Sequence, residues 1–162
     1  MARKISLYGV LVSVCIVLGY LETLISFDFI APGIKLGLAN TVALLLIGLK
    51  DIKGAFAVNI VRILLSGLLF SSPQTLMYSI PAGIVSVLVT ALFMKIIRSE
   101  TISFIGFSII GALVHNLVQT LCAVILLGKG ILTFLPFLIL SAAVSGFLTG
   151  AMANAIFKRI KK

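Results

Sequence analysis

The stretch Ala31–Asn40, APGIKLGLAN, separates the first long apolar run of the chain from the second. Pro32 fixes its own φ and Gly33 permits conformations that other residues avoid, so the pair predicts a break between two helices. Lys35 and Asn40 follow at the start of a short apolar run. A cation and an amide at a membrane boundary suggest contact with a polar ligand. We therefore predict that this stretch is the rim of a binding site.

The composition on both sides of this stretch predicts an all-α membrane protein. Of the 162 residues, 61% are hydrophobic and 10% are charged, and the mean hydropathy is +1.30. Soluble domains are roughly 45–50% apolar and about 25% charged. The apolar runs are long and continuous, which predicts one polytopic integral membrane domain over residues 1–162.

The apolar runs divide into six predicted membrane spans. A helical span needs roughly 20 mostly apolar residues. The first run could also pass for a signal peptide, but no A-x-A-like cleavage site ends it, so we interpret it as an uncleaved span. The predicted spans cover approximately residues 5–25, 34–49, 53–70, 75–97, 102–128 and 131–157.

The basic residues predict the orientation of these spans. Cytoplasmic loops of membrane proteins carry an excess of Lys and Arg. If both termini are cytoplasmic, only Lys35 and Lys129 lie in outer loops, and Arg62 lies within a span. We therefore predict a multi-pass protein of the cell membrane with both termini in the cytoplasm. The cytoplasmic cations are then Arg3, Lys4, Lys50, Lys53, Lys95, Arg98, Lys158, Arg159, Lys161 and Lys162.

Polar residues inside the third span indicate a buried functional face. Arg62 lies near its middle, and Asn59 and Ser66 share its helix face at i−3 and i+4. Ionisable residues within spans usually face the bundle interior and mark function. The alternative is an arginine that only locks two helices together. No acidic residue lies at the same depth, which favours function.

The fifth span carries a second polar group. His115 and Gln119 are one helical turn apart, and Asn116 lies beside them. A single buried His is more often a hydrogen-bonded core residue than a ligand-binding residue. Because two amides lie beside His115, the sequence favours the functional and the structural interpretation about equally. The ordinary pKa of His would permit proton linkage.

Depth along the predicted spans orders these residues around an outward-facing cavity. Arg62 and His115 fall near the midplane, whereas Gln119, Glu22 and Lys35 fall in the outer half. Two cations against one carboxylate make the predicted cavity positive. We therefore hypothesise a small ligand with an anionic group. The predicted pocket comprises Arg62, Asn59, His115, Asn116 and Gln119, with Lys35, Asn40 and Glu22 towards its mouth.

Small residues on two helices predict close helix packing. Gly9 and Ser13 are four residues apart on the first span. Such stripes let helices approach closely in lipid. Both packing within the bundle and docking of a second membrane protein fit the stripe on the sixth span, which comprises Ala142, Gly146, Gly150 and Asn154.

Sequence motifs for catalysis are missing, so we predict that the chain is not an enzyme and needs no metal or cofactor. It has no Walker A loop, and Cys15 and Cys122 are isolated within spans. Prenyl-diphosphate chemistry needs clustered Asp residues that hold Mg²⁺. The four acidic residues are scattered along the chain at Glu22, Asp28, Asp51 and Glu100.

Three motifs carry a resemblance to a known family. They are YLE at Tyr20–Glu22, PGIKLGLAN at Pro32–Asn40, and HN followed by Gln at His115–Gln119. Over nearly its whole length the chain resembles the Gx transporter family, also labelled heptaprenyl diphosphate synthase component I. That family is similar to the substrate-binding S-components of energy-coupling factor (ECF) transporters.

The resemblance implies an S-component-like helix bundle, a transport function and a set of partners. S-components are six-helix membrane proteins that bind solutes from outside and work with a transmembrane coupling subunit and two cytoplasmic ATPases. Gly9 and Ser13 match the position of small residues that form part of their docking surface. The loop with Pro32 and Gly33 corresponds to the lid over the solute.

The synthase label implies a second function, as a membrane partner of a prenyl transferase that makes quinone side chains. Such a role would be non-catalytic here, because the Asp clusters are missing. A third interpretation is a purely structural subunit of a redox or quinone-linked membrane assembly.

Overall fold

The computed structural model describes residues 2–24, 37–97 and 103–160, and within these ranges the chain is helical without any β-strand. Long apolar runs favour helices in a bilayer because every backbone polar group is then bonded within its own segment. The helices are α1 (Ala2–Leu24), α2 (Asn40–Gly48), α3 (Ile52–Phe70), α4 (Pro73–Ile96), α5 (Phe104–Leu127) and α6 (Leu135–Ile160), and a 3-10 turn over Lys129–Phe134 precedes α6.

Side-chain caps and glycine set several of the helix ends. The Asp51 carboxylate accepts the Gly54 N–H at 3.0 Å and thereby begins α3. Ser72 accepts the Thr75 N–H at 3.4 Å at the start of α4, where Pro73 occupies a position that needs no N–H donor. Gly128 ends α5 with a φ of 94°, which other residues rarely adopt.

The closest helix packing lies between α5 and α6. A Cβ at Gly146 would lie 2.6 Å from the Ile109 Cα, and one at Gly150 would lie 2.5 Å from the Ile105 Cα. The two glycines therefore allow the α6 backbone to lie directly on α5. This part of the predicted stripe on the sixth span packs within the bundle.

The bundle has a small core and an apolar exterior. Cys15, Val58 and Phe107 are among its most deeply buried side chains, whereas many Leu, Ile and Val side chains face outward. Within the described ranges, five helices are long and apolar enough to cross a membrane, and the last of them counts the 3-10 turn and α6 together. This is the architecture of a multi-pass membrane protein.

The second predicted span differs most from the structure. The described helix α2 has nine residues, whereas a span needs roughly 20. A turn over residues 37–39 precedes it, and Gly37 adopts a φ of 69° there. Residues 34–36 of the predicted span lie outside the described ranges. The other predicted spans agree with the long helices to within a few residues at each described end.

The two ends of the bundle differ in charge. At the end where α1 begins and α6 finishes, which we call the terminal end, Tyr8 donates to Asp51 and the Phe104 and Phe157 rings lie 4.6 Å apart. At the opposite end, the loop end, Tyr20 meets Phe70 at 5.5 Å. Of the described Lys and Arg residues outside the helix interiors, the loop end holds Lys129, and the terminal end holds Arg3, Lys4, Lys50, Lys53, Lys95, Lys158 and Arg159.

Candidate functional site

A polar cavity of about 100 Å³ lies in the loop-end half of the bundle. We call it the loop-end cavity. It reaches from the turn between α3 and α4 down to the middle of α5, and the end of α1 and the start of α2 close one side. Its lining combines charged, amide and hydroxyl groups with few large apolar side chains. The lining residues are Glu22, Gly37, Asn40, Arg62, Ile63, Ser66, Gly67, Ser71, Thr75, Leu76, Ser79, Ala112, His115, Asn116, Gln119 and Ser145.

Arg62 is held in this wall by neutral amides from two helices. Its Nη2 donates to Asn40 Oδ1 at 2.9 Å and to Asn59 Oδ1 at 2.8 Å. Asn59 is 2% exposed, and its Nδ2 donates in turn to the Gly83 carbonyl at 3.1 Å. The network fixes the guanidinium without neutralising its charge. The bonds within the described residues use Nη2, so the N–H groups of Nε and Nη1 are donors that an oxyanion can use.

Glu22 and Asn40 lie on either side of the start of α2. The Glu22 carboxylate accepts the backbone N–H of Leu38, and Asn40 accepts from Arg62. The turn between them includes Gly37, whose positive φ suits glycine. Side chains of α1 and α3 that face the cavity therefore position the first turn of α2.

The polar group on α5 lines the same cavity, and its members have different bonds. His115 and Gln119 lie along one wall, one turn apart. Asn116 Nδ2 donates across to the Leu138 carbonyl of α6 at 2.7 Å and contacts Ser141 Oγ at 3.5 Å. The amide N–H₂ of Asn116 therefore ties α5 to α6, which leaves its Oδ1 as the group available to a ligand.

The structure brings together most of the residues that the sequence predicted for a pocket. Glu22, Asn40, Arg62, His115, Asn116 and Gln119 all line the loop-end cavity. Asn59 supports it from behind through Arg62 and lines an adjoining cavity. The predicted mouth residue Lys35 and the predicted lid residues Pro32 and Gly33 lie outside the described residues.

Gly9 and Ser13 lie away from the cavity on an exposed face of α1. A Cβ at Gly9 would have no atom within 4 Å, and Ser13 Oγ donates to the Gly9 carbonyl at 3.1 Å. Only Val12 and Cys15 of α1 are buried. No described helix packs on this face.

Hydroxyl groups on α4 and α6 complete the cavity, and the sequence interpretation missed them. Thr75 and Ser79 on α4 and Ser145 on α6 line it. The signal was present, because Thr75, Ser79, Ser86 and Thr90 share one face of α4 at helical spacing. Their mild polarity hides them among apolar neighbours, whereas an Arg or a His is conspicuous.

The model of the family described as heptaprenyl diphosphate synthase component I matches residues 11–156. The chain belongs to this family. Searches of curated proteins and of solved structures found no match. The component I family model begins within α1 and ends within α6, so it spans all the described residues of the loop-end cavity. Among the described residues, no three His, Cys, Asp or Glu side chains lie close enough to hold a metal ion.

Proposed function

We propose that this protein is an S-component-like, substrate-binding membrane subunit of an energy-coupling factor type uptake transporter. In this proposal it binds a small anionic solute from outside the cell and has no catalytic role. The observation that carries the proposal is the Arg62 guanidinium, which lines a cavity while neutral amides hold it. The bonds that hold the guanidinium come from neutral amides, so its charge persists inside the bundle, and ionisable residues in such positions usually serve a ligand.

The position of the cavity supports uptake from outside. The loop-end cavity lies at the end opposite to both chain termini, and the terminal end holds most of the described Lys and Arg residues. The positive-inside rule favours a cytoplasmic terminal end. The sequence prediction of six crossings in the cell membrane fits this orientation, and the predicted lid residues Pro32 and Gly33 lie outside the described residues.

The proposed partners are a transmembrane coupling subunit and two cytoplasmic ATPases. The exposed Gly9–Ser13 face of α1 supports docking of such a subunit, because small residues allow a helix to approach closely. The family resemblance supports the identity of the partners.

A second candidate function is a non-catalytic membrane component associated with heptaprenyl diphosphate synthase. The name of the family favours it, because a "component I" implies at least one further component. The two candidates differ in the partner they require. The transporter needs membrane-bound ATPases, and the synthase component needs a soluble prenyl transferase.

Affinity purification from native membranes in mild detergent tests the two candidates directly. We expect mass spectrometry to identify a coupling membrane subunit and two ATPases with the full-length chain, and to identify small anions by comparison with an Arg62→Gln sample. Recovery of a prenyl transferase without any ATPase would overturn the transport proposal in favour of the synthase component.

A further inference from the structure

A second cavity of about 40 Å³ adjoins the loop-end cavity on the side of the terminal end of the bundle. We call it the inner cavity. Its position follows from its lining, which includes Ile47 near the end of α2 and Phe107 near the start of α5. The residues that line both cavities form a neck between them, and they are Gly37, Asn40, Ala112, His115 and Ser145.

The wall of the inner cavity is mainly hydrocarbon. Several of its hydroxyl groups already bond within the protein. Ser86 Oγ donates to the Gly111 carbonyl at 3.0 Å, and the Ser108 and Thr149 hydroxyls bond each other at 2.7 Å. Groups satisfied in this way have little left to offer a polar ligand. The rest of its wall includes Ala43, Leu44, Ile47, Val87 and Phe107.

The loop-end cavity is polar, and the described residues in its wall offer one cation to an anionic group of a ligand. Arg62 is the fixed cation among them and Glu22 is the carboxylate. A diphosphate carries several negative charges, and proteins usually bind it with several cations or with Mg²⁺. A ligand with one negative charge suits this wall better.

We propose that the two cavities together bind a monoanionic amphiphile, with its head against the Arg62 guanidinium and a short apolar chain through the neck into the inner cavity. This inference rests on the proposed function, because it names the class of solute. A water-sized group needs about 10–15 Å³, so the inner cavity holds about three such groups. The apolar chain of the ligand therefore has about three or four carbon atoms beyond the neck. A free short-chain carboxylate and the head of a long fatty acid share this chemistry, and chain length separates them.

The test is a chain-length series on the full-length protein in lipid nanodiscs. Straight-chain carboxylates from acetate to decanoate are titrated by calorimetry, with hexyl diphosphate as a polyanionic probe. Each buried methylene strengthens binding about fourfold. We expect hexanoate to bind at least about tenfold more tightly than acetate, decanoate to bind more weakly than hexanoate, and hexyl diphosphate to bind at least about tenfold more weakly.

Ala112→Val provides the decisive variant because Ala112 lines the neck. We expect it to reduce the preference for hexanoate over acetate to below about threefold. Ala57→Val, on the exposed face of α3, is the matched control and keeps the wild-type profile. Partition into the nanodisc lipid is the same for all three proteins, so the difference between them reports the cavity. If Ala112→Val does not fold, Ala43→Val in the inner cavity replaces it.

Three results would overturn the inference. They are equal affinity for acetate and hexanoate, an affinity that keeps rising to decanoate, and an unchanged preference in the folded neck or inner-cavity variant. None of these affects recovery of the ATPases, so the transport proposal stands or falls separately. Conversely, recovery of a prenyl transferase together with the expected chain-length profile would reject transport and retain the amphiphile site.

Discussion

Arg62 and Asn59 are three residues apart on α3, and the guanidinium also reaches Asn40 at the start of α2. We expect Arg62→Gln to weaken carboxylate binding roughly ten- to a hundredfold, because a hydrogen bond to a charged group contributes about 1.5–3 kcal/mol. Calorimetry with hexanoate measures the loss. Arg62→Lys keeps the charge and removes the planar guanidinium with its several N–H donors, so we expect intermediate affinity. Equal affinity for hexanoate in wild type and Arg62→Gln would contradict a role for Arg62 in binding.

The partner of Arg62 shows what single-residue reasoning can reach. The helical period predicted correctly that Asn59 shares its face, because spacing along one helix fixes that geometry. The helical period could not predict the bond from Arg62 to Asn40, since a contact between two helices depends on how they rotate against each other. The sequence analysis also looked for an acidic partner of Arg62, whereas the bonds in the structure come from the neutral oxygens of two amides.

Asp51 links the pH dependence of stability to the turn between α2 and α3. Bonds from the Tyr8 hydroxyl and the Gly54 N–H hold the pKa of Asp51 below its usual range. A lowered pKa stabilises the fold above the unfolded value of about 3.9, and this contribution is lost as the pH falls through the folded value. We expect Asp51→Asn to lower the melting temperature at pH 7 and to flatten its decline below about pH 4.

The size of that effect follows from the capping role of Asp51. Loss of an N-cap side chain costs about 0.5–2 kcal/mol, and Asn retains part of the capping. Tyr8→Phe tests the second bond, and melting curves over a pH series measure both variants. If the melting temperature of Asp51→Asn falls with decreasing pH as steeply as that of the wild type, another group is responsible for the pH dependence.

At the scale of helices, α5 and α6 depend on two glycines that an added methyl group would disturb. We expect Gly150→Ala to destabilise the bundle by about 1–3 kcal/mol, because its Cβ would lie 2.5 Å from the Ile105 backbone. Gly9→Ala is the matched control, since its Cβ would have no atom within 4 Å. Thermal melting in detergent compares them. A similar loss in both variants would contradict close packing as the cause.

The exposed face of α1 makes a separate prediction about assembly. We expect Gly9→Leu with Ser13→Leu to leave melting and carboxylate binding unchanged, because neither residue lines the cavities. The same variant should lose the coupling subunit in affinity purification, since bulky side chains prevent close approach of a partner helix. Ala57→Leu, on an exposed part of α3, is the control. Undiminished recovery of the subunit would place the docking surface elsewhere.

The helices also show which elements the sequence could predict. Long apolar runs identify α1, α3, α4 and α5 to within a few residues, even across Pro81, because hydropathy and length decide a span. The start of α2 was not predictable in the same way. Its first turn depends on Glu22 from α1 and Arg62 from α3, which are tertiary contacts, and Gly37 rather than Pro32 precedes it within the described residues.

At the scale of the whole molecule, the two ends of the bundle differ in charge and in the groups that they present. The loop end holds the cavity, and the terminal end holds most of the described cations. An anion that reaches Arg62 from the loop end does not have to cross the cationic terminal end. If the protein is a transporter, as we propose, uptake requires a change in the bundle, because Phe104 of α5 packs against Gly48 of α2 at the terminal end.

The orientation of the bundle can be tested with single cysteines in a protein whose Cys15 and Cys122 are replaced by Ala. Gly130→Cys lies in the exposed turn at the loop end, and Lys50→Cys and Lys158→Cys lie at the terminal end. We expect a membrane-impermeant maleimide to label the first in intact cells and the other two only after permeabilisation, because the positive-inside rule places the terminal end in the cytoplasm. Labelling of Lys158→Cys but not of Gly130→Cys in intact cells would show that the protein has the opposite orientation in the membrane. The cavity would then face the cytoplasm, and uptake from outside would lose its structural basis.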